Sequence, residues 1–159
     1  MAQKKKNKQK TSVFCRNKKA FHDYLIEKRF EAGISLLGSE VKSIRDGKMN
    51  LSGAWIDLDE NLDAVLKDAH ISPYRLSSYF NHLEKRDRRL LLRKSQLSEL
   101  SKKTESQGYT IVPLSVYPKG PWIKVEIALA RGKRQFDKRE AAKEKEAKKT
   151  IRNILRTGS

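Results

Sequence analysis

Apolar and polar side chains alternate along residues Phe21 to Leu37, and the pattern ends on two consecutive leucines. A period of two residues, carried by aromatic and β-branched side chains, is typical of a strand with one buried face. The pattern therefore predicts a long, half-buried strand. A strand of this length needs a bend, and Gly33 is where we expect it. The apolar positions are Tyr24, Ile26, Phe30, Ala32, Ile34, Leu36 and Leu37.

A short helix is predicted immediately after this strand. Ser39 suits an N-cap, and Glu40 falls in the first turn, where the helix dipole favours a negative charge. Val41 and Ile44 supply a short apolar face, and Gly47 is a typical helix stop. The helix has about two turns, so packing against the rest of the fold must hold it.

Two hairpins follow from the same kind of pattern. The runs Ala54–Leu58 and Ala64–Leu66 flank the turn-like cluster Asp59-Glu60-Asn61. Near the end of the domain, Tyr109–Tyr117 and Trp122–Leu129 flank a loop at residues 118–121. Each pair predicts two antiparallel strands.

Between the hairpins, a charged loop leads into the short apolar run Leu90–Leu92. An amphipathic helix is then predicted from Ser95 to about Gly108, with Leu97 and Leu100 on one face. We count about six strands and two or three short helices. Short strands separated by turns favour a mainly β fold, a small antiparallel barrel, whose closure removes exposed sheet edges.

Most of the net positive charge lies at the two ends of the chain. The net charge is +17; residues 1–12 hold five Lys and no acid, and residues 131–159 hold eleven Lys or Arg against four acids. Basic tails on a nearly ordinary core indicate a polyanionic partner, and nucleic acid is the commonest one. The alternative is two solvated, disordered ends that serve solubility.

The composition limits the remaining classes of protein to which the chain could belong. A chain of 159 residues, less its tails, has room for one domain with one core. The single cysteine, Cys15, excludes an internal disulfide and a multi-cysteine metal site, which fits a reducing, cytoplasmic location. No apolar run is long enough to span a membrane, and the basic start has no apolar stretch behind it. We expect neither a membrane partner nor a secretory signal.

The C-terminal tail has the features of a helix that forms on binding. Asp137 and Glu140 have capping-box spacing, and residues 141–149 are mostly good helix formers. Ile151 and Leu155 add only a thin apolar seam. We expect the free tail to be disordered and to become helical where phosphates neutralise it. The alternative is a stable, exposed helix packed by Leu155.

Catalytic and metal-binding patterns are weak. His22, His70 and His82 have no ligand-like spacing, so no metal site and no cofactor is predicted. Asp57 and Asp59 could hold a divalent cation in a nuclease, but in a hairpin they are more often turn and strand-end carboxylates. We therefore predict a protein that is not an enzyme.

Binding residues are better supported. Lys42, Arg45 and Lys48 lie three residues apart, near one side of the first helix and its exit. A second basic cluster is expected in the loop with Arg86, Arg88, Arg89 and Arg93. One or two of four nearby aromatic residues could stack on bases. These are Phe21, Tyr24, Tyr79 and Trp122.

Seven blocks, in order along almost the whole chain, closely resemble the small protein B (SmpB) family. The blocks Glu-Val-Lys-Ser-Ile-Arg at 40–45 and Asp-Lys-Arg at 137–139 are the most specific of these matches. The matching blocks are Asn17–Tyr24, Phe30–Ile34, Gly38–Lys48, Asn50–Leu51, Arg89–Leu92, Gly108–Leu114 and Gly132–Arg139.

The resemblance implies an OB-like β-barrel over residues 13–130 between basic tails at 1–12 and 131–159. It implies binding to the tRNA-like domain of transfer-messenger RNA (SsrA RNA) and delivery of that RNA to stalled ribosomes for trans-translation. The tail would become helical in the vacant mRNA channel, and we expect the protein to act as a monomer. The competing hypothesis is a general single-stranded nucleic-acid-binding OB module.

The resemblance also implies site residues. Those expected to face RNA are Asn17, His22, Tyr24, Glu31, Lys42, Arg45, Lys48, Asn50 and Lys124. Those expected to contact the decoding centre of the ribosome are Gly132, Lys133, Arg134, Phe136, Asp137, Lys138 and Arg139.

Two positions depart from the family pattern, and a third carries an acidic side chain among expected cations. Family members often carry His where this chain has Phe136, and a Pro near Glu84. Phe can stack on a base, but it cannot hydrogen-bond or titrate. Glu31 is an acid among cations, and it either accepts hydrogen bonds from RNA or pairs with a neighbouring Lys.

Overall fold

The structure is a computed structural model that describes residues 12–76, 81–106, 108–133 and 146–152. The labelled helices are α1 (Lys18–Asp23), α2 (Gly38–Arg45) and α3 (Lys94–Thr104), and residues 146–152 are also helical. The strands found in these ranges are β1 (Cys15–Arg16), β2 (Tyr24–Ile34), β3 (Met49–Asn50), β4 (Trp55–Leu58), β5 (Ala64–Lys67), β6 (His70–Ile71), β7 (Arg88–Leu91), β8 (Tyr109–Lys119) and β9 (Trp122–Gly132).

The main sheet is an antiparallel ring. Its strand order is β1-β8-β4-β5-β7-β2-β9, and β8 also pairs with β9. That last pairing closes six strands into a barrel, while β1 adds to β8 and β3 pairs separately with β6. The expected small antiparallel barrel is confirmed.

Both predicted hairpins are present. In β4–β5, Asp59 Oδ1 accepts the backbone N–H groups of Asn61 at 2.9 Å and Asp63 at 2.8 Å, which folds the turn around one carboxylate. In β8–β9, the ladder continues to the pair Lys119–Trp122, so the connection is shorter than the expected four-residue loop. Gly120 has φ +59°, which a glycine adopts without steric cost.

The long first strand differs from the sequence prediction at its start and at its bend. Lys18–Asp23 form α1, so β2 begins only at Tyr24. The ladder with β9 is irregular between Ile26 and Lys28, and this is where the strand departs from regular pairing. Gly33 instead allows a close approach, because a Cβ there would lie 3.2 Å from Leu91 Cβ.

Helix α1 exists because of one cap and one packing contact. The Asn17 side chain accepts from the Ala20 N–H at 3.1 Å, which satisfies an otherwise unpaired donor of the first turn. Ala20 is buried on the outer side of the barrel against Val112, Leu114 and neighbouring residues of β9. Helix α1 therefore covers one end of the outer β8–β9 surface.

The interior of the barrel is apolar and closed. Ile44 from α2 and Leu100 from α3 are fully buried in the same cluster as Leu66, Ile111 and Ile127 from the strands. Burial of such side chains contributes roughly 1.5–3 kcal/mol each. The two longer helices are thus held by the core, as the prediction for α2 required.

A buried ion pair attaches α2 to β7. The side chains of Glu40 and Arg88 are fully buried and paired, and Arg86 Nη2 lies 2.5 Å from Glu40 Oε1. Glu40 Oε1 also accepts the Leu37 N–H at 2.8 Å, so it closes the start of α2, the role expected of Ser39. The prediction that Arg88 belongs to an RNA-facing basic loop is wrong, because a guanidinium enclosed in this way cannot reach a ligand.

Candidate nucleic-acid interface

The residues expected to face RNA fall on three parts of the barrel. One group lies on α1 and its caps, a second on the outer face of β2 and β9, and a third on α2 and the strand that follows it. In chain order the groups are Asn17, His22 and Tyr24; Glu31 and Lys124; and Lys42, Arg45, Lys48 and Asn50.

In the α1 group, the exposed side chain is His22. It is 67% exposed, and its Nδ1 lies 2.9 Å from the Asp23 carboxylate. Asn17 is only 4% exposed, and besides capping α1 its Nδ2 donates to the Pro113 carbonyl oxygen at 2.9 Å. Tyr24 is partly buried against the packing of α1. Asn17 therefore positions α1, while His22 is available at the surface.

The second group forms a polar patch on the outer face of the barrel. Glu31 accepts hydrogen bonds from Lys119 Nζ at 2.7 Å and from the Tyr117 hydroxyl, and Lys124 acts on it electrostatically. We name Glu31, Tyr117, Lys119, Trp122 and Lys124 the sheet patch. Lys119 is 63% and Trp122 69% exposed, so this patch presents an ammonium group and an indole to solvent.

Titration in the sheet patch follows these contacts. The Lys119 ammonium, then the Tyr117 hydroxyl, hold the pKa of Glu31 below its usual value. Burial, followed by the Glu31 carboxylate, raises the pKa of Tyr117, so its hydroxyl remains a donor near neutral pH. Of the two roles expected for Glu31, the pairing with a Lys is present in the structure, and it holds Lys119 in one direction.

Tyr117 and Lys119 were not predicted from the sequence as members of this patch, although their cross-strand partners indicate it. In β8 they pair with Lys124 and Trp122 of β9, and directly paired residues of antiparallel strands point to the same face. Alternation groups Lys124 with Trp122 and Lys119 with Tyr117, and the short turn between Lys119 and Trp122 puts the two groups on one side.

The third group is positioned by the C-terminal end of α2. Gly47, at φ +74°, donates to the Ile44 carbonyl oxygen at 2.9 Å, and Lys48 N–H donates to that of Ser43 at 2.9 Å. This is a Schellman motif, and it confirms Gly47 as the helix stop. Arg45 and Lys48 are exposed there, and Lys42 Nζ lies 5.4 Å from the Tyr74 ring centroid.

Two residues of the expected ribosome-binding group are described. Gly132 pairs with Tyr24 at the end of the β2–β9 ladder, and Lys133 N–H donates to the Asp23 carbonyl oxygen at 2.9 Å. The structure therefore brings the start of this group beside α1. Arg134, Phe136, Asp137, Lys138 and Arg139 lie outside the described residues, as does most of the segment expected to form the tail helix. Residues 146–152 are helical, and all of them are exposed.

The alternative metal and nuclease hypotheses find little support in the described ranges. No group of three or more His, Cys, Asp or Glu residues in those ranges could hold a metal ion. One oxygen of Asp59 is occupied by two turn N–H groups, as expected of a turn carboxylate. His82 is buried between Ser39 Oγ and the Ile71 carbonyl oxygen, both at 2.9 Å. The helices in the described ranges include none long and apolar enough to cross a membrane.

Comparison with known proteins places the chain in a family. The SmpB protein family model matches residues 14–157. The SsrA-binding protein of Roseiflexus castenholzii is 49% identical over 145 residues, covering 91% of both chains. The SsrA-binding proteins of Bifidobacterium longum and Shouchella clausii are each 48% identical over 144 residues, covering 91% of this chain and 91% and 92% of theirs.

The chain belongs to the SmpB family. A solved structure supports the same assignment at the level of the fold. It comes from work described as "tmRNA-SmpB: a journey to the center of the bacterial ribosome", and the TM-score is 0.64 at 42% identity. The similarity covers 80% of this chain and 92% of that one. The family match over residues 14–157 extends over the barrel and most of the basic C-terminal tail.

Proposed function

We propose that this chain binds the tRNA-like domain of transfer-messenger RNA and delivers it to stalled ribosomes for trans-translation. The observation that carries the proposal is the match over 91% of the chain to proteins named for binding SsrA RNA. The barrel adds a physical reason, because its cations stand on rigid elements. Lys124 is on β9, Lys42 and Arg45 are on α2, and Lys119 is held by Glu31.

Recognition on this surface is mainly of RNA shape and backbone. Cations spaced over several elements can follow phosphates along a folded RNA, whereas the deep groove of an RNA helix hides its base edges from side chains. His22 on α1 and the indole of Trp122 offer rings for unpaired bases at loops.

The C-terminal tail has a different task in this proposal. It senses the vacant mRNA channel of the ribosome and forms there a helix longer than residues 146–152, and Gly132 to Arg139 contact the decoding centre. The attachment of Lys133 to α1 supports this division, because the tail then leaves the barrel from a constant point beside the RNA-binding surface. The Lys-rich tail of residues 1–12 adds electrostatic affinity.

The protein acts as a binding adaptor and catalyses no reaction. We assign it to the cytoplasm, where ribosomes translate, and we expect a monomer in complex with one RNA. The competing single-strand-binding module has the same charge but no need for folded RNA.

The assignment of RNA binding to the barrel and of ribosome contact to the C-terminal tail is tested by a protein truncated after Lys133. We expect it to bind the isolated tRNA-like RNA with nearly the affinity of the full chain and to lose peptide tagging in a reconstituted stalled-translation reaction. Loss of RNA binding on truncation would reject this division. Affinity measured against salt supplies the second test, since a binder limited to phosphate neutralisation has a log–log slope of roughly −0.7 per phosphate for single strands and no preference for folded RNA.

A further inference from the structure

A cavity of about 470 Å³ opens at the C-terminal end of α2. We call it the α2 cavity. Its lining residues are Ser43, Asp46, Lys48, Ser72, Pro73, Tyr74, Arg75 and Leu76. We propose that it receives a single guanine base that the bound RNA turns out of its stack. This inference rests on the proposed function and adds to it a base-specific contact.

The walls of the α2 cavity are formed before any ligand arrives. The Schellman motif places Asp46 and Lys48 on one side, and the Ser72 N–H donates to the Lys48 carbonyl oxygen at 3.0 Å to join the other side to it. Asn81 clamps the backbone of Tyr74 through its Oδ1 at 3.1 Å and its Nδ2 at 3.0 Å. A preformed site loses little conformational entropy on binding.

The composition of these walls matches a nucleotide. Tyr74 is half-buried and offers a ring on which a base can stack, and Lys42 already lies beside it. Lys48 and Arg75 stand exposed at the rim, where the phosphates of an extruded nucleotide would lie. Extruded bases in RNA-binding proteins are held by this combination of stacking, cations and hydrogen bonds to base edges.

Ser43 lies in the wall of the α2 cavity and has an unpaired hydroxyl. The residue is 1% exposed, and its Oγ has no hydrogen-bond partner in the described part of the chain. A buried hydroxyl left unpaired costs roughly 1–3 kcal/mol, so such groups normally have a partner. Ser43 lines the α2 cavity, so a rotation of its side chain toward a base edge there would provide that partner.

The acidic side chain selects among the bases. Asp46 is exposed at the cavity and carries only acceptor oxygens when ionised. Guanine presents two adjacent donors on its Watson–Crick edge, N1–H and the N2 amino group, which match the two oxygens of a carboxylate. Adenine and uracil each present a single donor there, and cytosine presents only its amino group.

The first test uses guanosine 5′-monophosphate and the full-length, ¹⁵N-labelled protein. We expect amide shifts confined to residues 43–48 and 72–76, with smaller shifts for the monophosphates of adenosine, cytidine and uridine. Inorganic phosphate should move only amides near Lys48 and Arg75. The absence of shifts with the guanine nucleotide, or equal shifts with phosphate alone, would overturn the base site. Equal shifts with all four nucleotides would overturn the choice of guanine.

The second test uses the tRNA-like RNA. Tyr74→Ala should weaken binding by about 5- to 150-fold, the loss of one stacked base, whereas Tyr74→Phe keeps the ring and should bind like the natural protein. Asp46→Asn should also weaken binding, and Asp87→Asn, whose carboxylate pairs with Lys67, is the matched control. Unchanged binding by Tyr74→Ala would overturn the inference. A natural protein without preference for tRNA-like RNA would instead reject the proposed function, and the nucleotide titration distinguishes the two failures.

Discussion

The backbone N–H of Lys133 donates to the carbonyl oxygen of Asp23 at 2.9 Å, one residue beyond the last pair of the β2–β9 ladder. Asp23 ends α1, so the point at which the C-terminal segment leaves the barrel is tied to the helix that carries His22. A segment that must reach a defined place on the ribosome gains precision from such a rigid start.

The hydrogen bond from Lys133 to Asp23 predicts that RNA binding and peptide tagging can be separated by mutation. Lys133→Pro removes the donor N–H and should leave binding of the tRNA-like RNA within about two-fold, while tagging of stalled peptides falls well below that of Lys133→Ala. The Ala variant is the matched control, because it removes the same ammonium group but keeps the N–H. Equal tagging by the two variants would show that this hydrogen bond has no role.

The buried pair of Glu40 and Arg88 predicts a large stability effect. Arg88→Met leaves the Glu40 carboxylate enclosed with one cationic partner fewer, and the free energy of unfolding in urea should fall by about 3–5 kcal/mol. The double variant Glu40→Gln with Arg88→Met removes both charges and should regain part of that loss.

Arg89→Ala is the control for this measurement. Its guanidinium is 61% exposed and pairs with Asp63 at 2.8 Å, so its loss should cost no more than about 1 kcal/mol. If Arg88→Met and Arg89→Ala had the same stability, Arg88 would not be the buried partner that the structure describes.

The buried pair of Glu40 and Arg88 also predicts that stability depends on pH in the acidic range. Burial alone would raise the pKa of Glu40, but hydrogen bonds from Arg86, the Leu37 N–H and Arg88 outweigh it and hold the pKa below its ordinary value near 4.5. A carboxylate with a lowered folded pKa contributes stability above its unfolded pKa and loses it as the pH falls through the folded pKa. Urea unfolding below about pH 4.5 should therefore show a shallower loss of stability in Glu40→Gln, and parallel pH profiles would contradict this assignment.

The contact between Glu31 and Lys119 predicts that the effects of mutating these two residues on RNA affinity are not additive. If Glu31 acts by holding Lys119 toward the phosphates, Glu31→Ala should weaken binding a few-fold in the natural protein and have no further effect in Lys119→Ala. A double-mutant cycle on affinity for the tRNA-like RNA measures this. Additive losses would mean that Glu31 makes its own contact with the RNA.

The sequence predicts best where local chemistry decides the structure. The β4–β5 hairpin follows from Asp59, whose carboxylate closes the turn, and the end of α2 follows from Gly47, which takes the left-handed conformation. The barrel follows because its strands alternate with one buried face. These features depend on residues close together in the chain.

Features decided by distant residues were missed. Helix α1 is too short to show periodicity, and it depends on packing of Ala20 against β8 and β9. Arg88 lies in a charged run that predicts exposure, and its burial depends on Glu40, 48 residues away, and on backbone carbonyl oxygens such as that of Ala69. The sheet patch was incomplete because Glu31 and Lys119 meet only across three strands.

Competition binding measures the central claim most directly. The full-length protein is bound to labelled tRNA-like domain of transfer-messenger RNA, at fixed salt, and challenged with the same unlabelled RNA or with an unstructured RNA of equal length. We predict that the unstructured RNA competes at least about ten-fold more weakly, because the cations of the barrel follow a folded backbone. Equal competition by the two RNAs would contradict the account.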